Sequence, residues 1–245
     1  MAGNRTRRRS SGAGKPRRRN WRLPLLTVLA LLIAGAAGWW WWNRHSWKPS
    51  EADYPVQGAV VGEGDGPVRF DIVKGLGGSF VYLEASRGAK GRDRDFIANL
   101  AAAREAGLVV GAAHVFDPCA PAHTQAANFV IAVPRDRKLL PPAILLETDA
   151  EFCPEPVSEA AIQSELMTLV NQIEAHAGQP VILAPSAAFE RRYRVGGRIE
   201  RNLWLARNRA EPAYAGRPWA LWTVNDALWT EASEQPLRWL VARPE

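Results

Sequence analysis

The sequence predicts one closed α/β barrel preceded by a single apolar N-terminal helix. Three observations carry that expectation. Eight short apolar runs alternate with helical or polar segments, 20 residues near the start carry no formal charge, and the basic excess lies ahead of them.

Residues 1–22 hold nine of the 31 Lys and Arg and none of the 25 Asp and Glu. Arg5, Arg7, Arg8, Arg9, Lys15, Arg17, Arg18, Arg19 and Arg22 stand among Gly, Ser, Asn and Pro. Such a run repels itself and buries nothing, so it is expected to be a disordered, cytoplasmic tail. Residues 23–242 and the three that follow then carry 22 bases against 25 acids, a net of −3. The pI of 9.7 therefore belongs to the tail. A nucleic-acid-binding domain needs its basic patch on the folded part, so no nucleic-acid partner is expected.

Residues 23–42 form the charge-free run. As a helix it spans roughly 30 Å, the thickness of a bilayer core, and Trp39 to Trp42 close it where indoles favour the headgroup region. Nine charges before it outweigh Arg44 and Lys48 after it, which predicts the N-terminus inside and the remainder outside the inner membrane. Two readings compete. Small residues over 34–38 suit a signal peptidase, and residues 18–23 weakly resemble a twin-arginine motif; the tryptophan cluster would make an insoluble new N-terminus and favours an uncleaved single-pass anchor. Residues 43–55 read as a linker, and 56–245 as the barrel domain.

Within that domain the candidate strands are 56–61, 79–85, 108–116, 143–147, 180–184, 203–206, 219–224 and 238–242. A helix is predicted over 95–106, with Phe96, Leu100 and Ala103 on one face and Gly107 as its stop. Another runs over 122–133 and ends before Pro134. The longest covers 158–177, opening on Ser158 and ending at Gly178, with Ile162, Leu166, Leu169 and Ile173 aligned.

Cys119 and Cys153 are the only cysteines, each just beyond one of two consecutive strands. In a barrel those loops are neighbours in an oxidising compartment, so a disulfide is expected, against two free thiols. His114 and His123 lack ligand spacing, so neither a metal nor a cofactor is expected.

Ordered blocks then resemble a known family. Val56-Gln57-Gly58, Phe70 with Val73-Lys74, and Phe80-Val81-Tyr82-Leu83 lead into Ala85-Ser86-Arg87-Gly88. Gly111-Ala112-Ala113-His114-Val115-Phe116, then Leu140 to Glu147, Leu203-Trp204-Leu205-Ala206 and Pro218-Trp219-Ala220-Leu221-Trp222 follow in order. Together they resemble glycoside hydrolase family 25, the Chalaropsis-type lysozymes, as a divergent member. The resemblance implies a single TIM-like (β/α) barrel. It also implies cleavage of the β-1,4 bond between N-acetylmuramic acid and N-acetylglucosamine in peptidoglycan.

Such chemistry needs a proton donor for the leaving oxygen and a negative group near the oxocarbenium-like centre. The resemblance places the donor at Glu147. It places the family's other aspartates at Val60 and Leu145, and its late one near 237–240, where no aspartate stands. His114, Phe116, Trp204 and Trp222 are the candidate substrate contacts, with core packing as the competing role. Glu84 and Arg87 occupy positions where the family often has the opposite charges.

Two functions follow. One is a membrane-anchored lysozyme-like hydrolase of peptidoglycan glycan strands, acting in cell-wall turnover with Glu147 as acid. The other is a catalytically inactive relative that binds peptidoglycan or an envelope protein, because a valine and a leucine replace the aspartates.

Overall fold

The structure, a computed structural model, describes residues 22–244. It divides into two compact units, Met1–Asn43 and Arg44–Glu245. The basic tail, apart from Arg22, lies outside the described residues.

Helix α1 (Arg22–Ser46) contains a 20-residue window, Pro24–Asn43, with mean hydropathy 1.7 and none of it buried. It is long and apolar enough to cross a membrane.

The second unit is a closed eight-stranded barrel of the TIM-like kind. Its strands are β1 (Gln57–Val61), β2 (Gly78–Arg87), β4 (Val109–Val115), β5 (Leu140–Leu146), β6 (Ile182–Pro185), β7 (Asn202–Ala206), β8 (Leu221–Leu228) and β9 (Leu237–Ala242). A two-residue β3 (Gly91–Arg92) hairpins back on β2 outside the ring. Neighbouring strands run parallel from β1 through β8; β9 lies antiparallel to both β8 and β1 and closes the ring.

The eight candidate strands correspond to the eight barrel strands, with shifted ends. β5 begins at Leu140 rather than 143, because a register shift between Gly111 and Ala113 on β4 accommodates Pro141 and Pro142. The Tyr82 hydroxyl donates to the Pro141 carbonyl at 3.0 Å.

Helices α3 (Phe96–Glu105), α4 (Ala122–Ala132) and α5 (Glu159–Ala177) match the predicted ones. Ser158 Oγ accepts from Ala161 N at 3.1 Å, and Gly178 takes the left-handed conformation at φ 68° that ends α5. Three short helices, α2 (Phe70–Gly75), α6 (Ala187–Tyr193) and α7 (Val195–Arg198), are additional. Each is too short to show helical periodicity in the sequence.

Side chains alternate across each strand and separate two cores. Outside the ring, Ala59, Val61, Val81, Leu83, Ile144, Leu146, Trp239 and Val241 pack beneath the helices. Inside it, Val60, Tyr82, Val115, Leu145, Trp204 and Leu240 fill the barrel. Closure rests partly on fully buried Trp239, whose Nε1 donates to Gln57 Oε1 at 2.7 Å.

Candidate active site

The inward rows of the barrel continue upward to its mouth, at the C-terminal ends of the parallel strands. Above Tyr82 on β2 stands Glu84, above Leu145 on β5 stands Glu147, and on β9 Arg238 precedes Leu240 by the same two-residue step. Arg87, the last residue of β2, reaches over them.

These four side chains form an alternating quartet. Glu147 Oε1 lies 3.4 Å from Arg238 Nη1, and its Oε2 lies 3.6 Å from Arg87 Nη1. Glu84 pairs with Arg87 Nη2 at 3.2 Å and with Arg238 Nη2. Burial grades the group: side-chain exposure is 13% for Glu84, 29% for Arg238, 40% for Glu147 and 59% for Arg87. Gly62, following β1, leaves the room Glu84 needs, since a Cβ there would meet the Glu84 carboxylate at 3.0 Å.

Beneath the quartet the barrel is apolar. Val60, fully buried, is in register with Arg238 across β1 and β9, and Leu145 is 3% exposed. The two positions where paired carboxylates are expected thus belong to the hydrocarbon layer.

Two cavities flank Arg87. One, of about 320 Å³, is lined by Glu63, Glu84, Ser86, Arg87, Arg92 and Asp93 among others. The other, of about 470 Å³, includes Arg87, Lys90, Phe116, Asp117, Cys119 and Thr148. Burial raises the pKa of Asp65 and of Asp93; each is also held by a backbone N–H, from Gly62 and Asp95 respectively, which acts the other way. Other loop carboxylates are engaged elsewhere: Asp149 and Glu151 with Arg192, and Asp226 with Asn208.

Of the predicted site residues, Glu147 and Phe116 lie at the mouth. Phe116 is 2% exposed and stacks edge-on against Phe189 at 6.3 Å. His114 is fully buried outside the ring, between Ser86 Oγ at 2.8 Å from Nδ1 and Gln125 Oε1 at 3.2 Å from Nε2. Burial drives its pKa down to about 4, so it is neutral at pH 7. Gln125 in turn donates to the Asp117 and Ala120 carbonyls, so this chain of bonds shapes the loop under the second cavity.

Trp204 fills the barrel, donating to Thr223 Oγ1 at 2.7 Å. Trp222 packs between Tyr54 and Trp219 and donates to the Arg207 carbonyl. His114, Trp204 and Trp222 are buried and engaged in packing and in bonds that shape the loops. Cys119 and Cys153 form a disulfide, Cα atoms 5.3 Å apart, joining the loops after β4 and β5.

Sequence reasoning missed Arg238. The trace was an arginine on the inward phase of an otherwise apolar strand.

A ring of mostly parallel strands that gathers its charged side chains at the mouth, above a packed interior, has the layout of the TIM-like α/β barrels. The chain belongs to glycosyl hydrolases family 25, whose profile matches residues 61–230. Lysozyme M1 of Streptomyces globisporus is 33% identical over 96 residues, which cover 38% of this chain and 33% of that protein. The match thus spans about a third of that relative's length. Among solved structures, a family 25 glycosyl hydrolase from Bacillus anthracis superposes with a TM-score of 0.73 at 22% identity, over 82% of this chain and 94% of that one. A bacterial lysozyme from Streptomyces coelicolor gives 0.68 at 21%, over 78% and 93%. At these identities the structural likeness speaks for the fold.

Proposed function

We propose that this chain takes a peptidoglycan glycan strand at the barrel mouth, and that binding has replaced lysozyme-type hydrolysis there. The observation that carries this is the pairing of Glu147 with Arg87 and Arg238, above a layer in which Val60 and Leu145 stand in place of carboxylates.

Hydrolysis of a glycoside needs a group that delivers a proton and a second negative group that steadies the cationic centre. Glu147 is engaged as a carboxylate by two guanidinium groups. The hydrocarbon layer below offers nothing to a developing positive charge. Loss of one preorganised electrostatic group typically costs about a hundredfold or more in rate.

The helix Pro24–Asn43 supports an uncleaved membrane anchor, and the basic residues before it favour a cytoplasmic N-terminus with the barrel on the outer face of the inner membrane. There the barrel meets the cell wall.

Hydrolysis with Glu147 as acid is the second reading. What favours it is the position of Glu147 at the end of β5, 40% exposed and open to the mouth, with Glu84 across the same arginines.

Full-length protein in detergent, incubated with purified peptidoglycan, separates the two. Co-sedimentation with the glycan and no release of reducing ends supports binding. Release by the wild type that disappears in Glu147→Gln establishes the hydrolase. Neither release nor co-sedimentation overturns both and points to an envelope protein as partner.

A further inference from the structure

Resting on the glycan reading above, we propose that Arg87 and Arg238 form a receptor for a carboxylate carried by the glycan, and that Glu147 is its resident, displaceable occupant. The asymmetry of the quartet leads there.

Glu84 is the least exposed member and ties both guanidinium groups from below, so they stay oriented whether or not Glu147 is present. Glu147 is held more loosely. Its contacts of 3.4 and 3.6 Å exceed the roughly 2.7–2.9 Å of a well-formed charge-assisted hydrogen bond. It follows the last residue of β5, and among the described residues these two guanidinium groups are the partners of its carboxylate.

The charges agree. Two arginines and Glu84 leave one positive charge when Glu147 swings out, and a monoanion restores neutrality. Arg87 lines both cavities, which give a ligand access to its guanidinium, and Glu147 beside it is 40% exposed. An aspartate at Val60 or Leu145 would oppose an incoming anion; the residues present do not.

A glycan strand of the wall carries carboxylates from two sources. Muramic acid bears a lactyl carboxylate, free only where the peptide has been removed, and the peptide stems bear their own. Both offer the same planar group to the same fork of donors. If the lactyl group is the source, the reaction that supplies this ligand is hydrolysis of the amide joining peptide to sugar.

The test is calorimetric titration of the full chain in detergent with four probes. These are the N-acetylglucosamine–N-acetylmuramic acid disaccharide, its methyl ester, its peptide-bearing form, and chitobiose. The free acid is expected to bind about tenfold or more tighter than ester and chitobiose, the effect of a charged hydrogen-bonding pair. Arg238→Gln should abolish that preference, and Glu147→Gln, which removes the competing charge, should strengthen it. Arg87→Gln, at a position 59% exposed, repeats the test without touching the core.

Tight binding of the peptide-bearing form as well as the acid assigns the stem carboxylates, and tight binding of the acid alone assigns the lactyl group. Equal binding of acid, ester and chitobiose, or a preference that survives both arginine variants, overturns the receptor while the glycan reading stands. No binding of any probe removes that reading too.

Discussion

His114 shows how burial decides what a residue can do. A histidine at the end of a barrel strand reads equally as a sugar contact or as a hydrogen-bonded core residue, and here its ring lies under the sheet with both nitrogens bonded. Because burial lowers its folded pKa from 6.5 to about 4, the unfolded chain binds a proton more readily between those values. Its contribution is fully present above pH 6.5 and is lost as pH falls toward 4, on the order of 3 kcal/mol in all. Gln125 and Asp117 favour the charged ring and Arg87 opposes it. Asp65, Asp93 and Glu190, raised by burial, gain as pH falls and work in the opposite sense. The difference between wild type and His114→Gln in denaturant midpoints from pH 7 to 4 therefore isolates the effect; the variant should be less stable at pH 7 and flatter below it. Val60→Asp tests the apolar layer. A carboxylate there is stripped of water and competes with Glu84 and Glu147 for Arg238, directly opposite on β9, so thermal melting should show a loss of about 1–3 kcal/mol.

At the scale of elements, the mouth is shaped by what joins the strands. The Cys119–Cys153 bond closes a 34-residue separation between the loops after β4 and β5. Chain-entropy arguments assign a loop of that size about 3–4 kcal/mol, so reduction, or Cys119→Ser with Cys153→Ser, should lower the melting temperature and loosen the wall of the larger cavity. Fragmentation by a protease across 117–120 and 150–153 would report that loosening. β9 matters as much. It closes the ring through Trp239 and Gln57, and it carries Arg238 to the mouth on its inward face. Trp239→Ala should cost about 3–5 kcal/mol, read from denaturant unfolding, and should weaken closure and site together.

For the whole molecule, the apolar helix and the barrel are separate compact units with different solvents in prospect. Deletion of residues 1–43 should move the protein from the carbonate-resistant membrane fraction to the soluble one. It should leave the barrel's cooperative melting transition in place. A barrel that no longer melts cooperatively would show that the helix contributes to its fold. Nearly all of this architecture was legible beforehand. The charge-free run, the period-two strands and the capped helices each follow from neighbours within a few positions, and family resemblance supplied their order.

Sequence alone therefore determined the barrel, its apolar leader, the family and the place of Glu147, because each depends on local pattern or on ordered motifs. Only the tertiary structure decided what Glu147 meets. Arg238 lies 91 residues away in the chain and arrives by the antiparallel return of β9. The burial of His114, Trp204 and Trp222, open between contact and packing in the sequence, was decided in the same way: which face of a strand meets solvent depends on what packs across it. Charge pairing between distant strands leaves no periodicity to read, and closure of the ring brought it about.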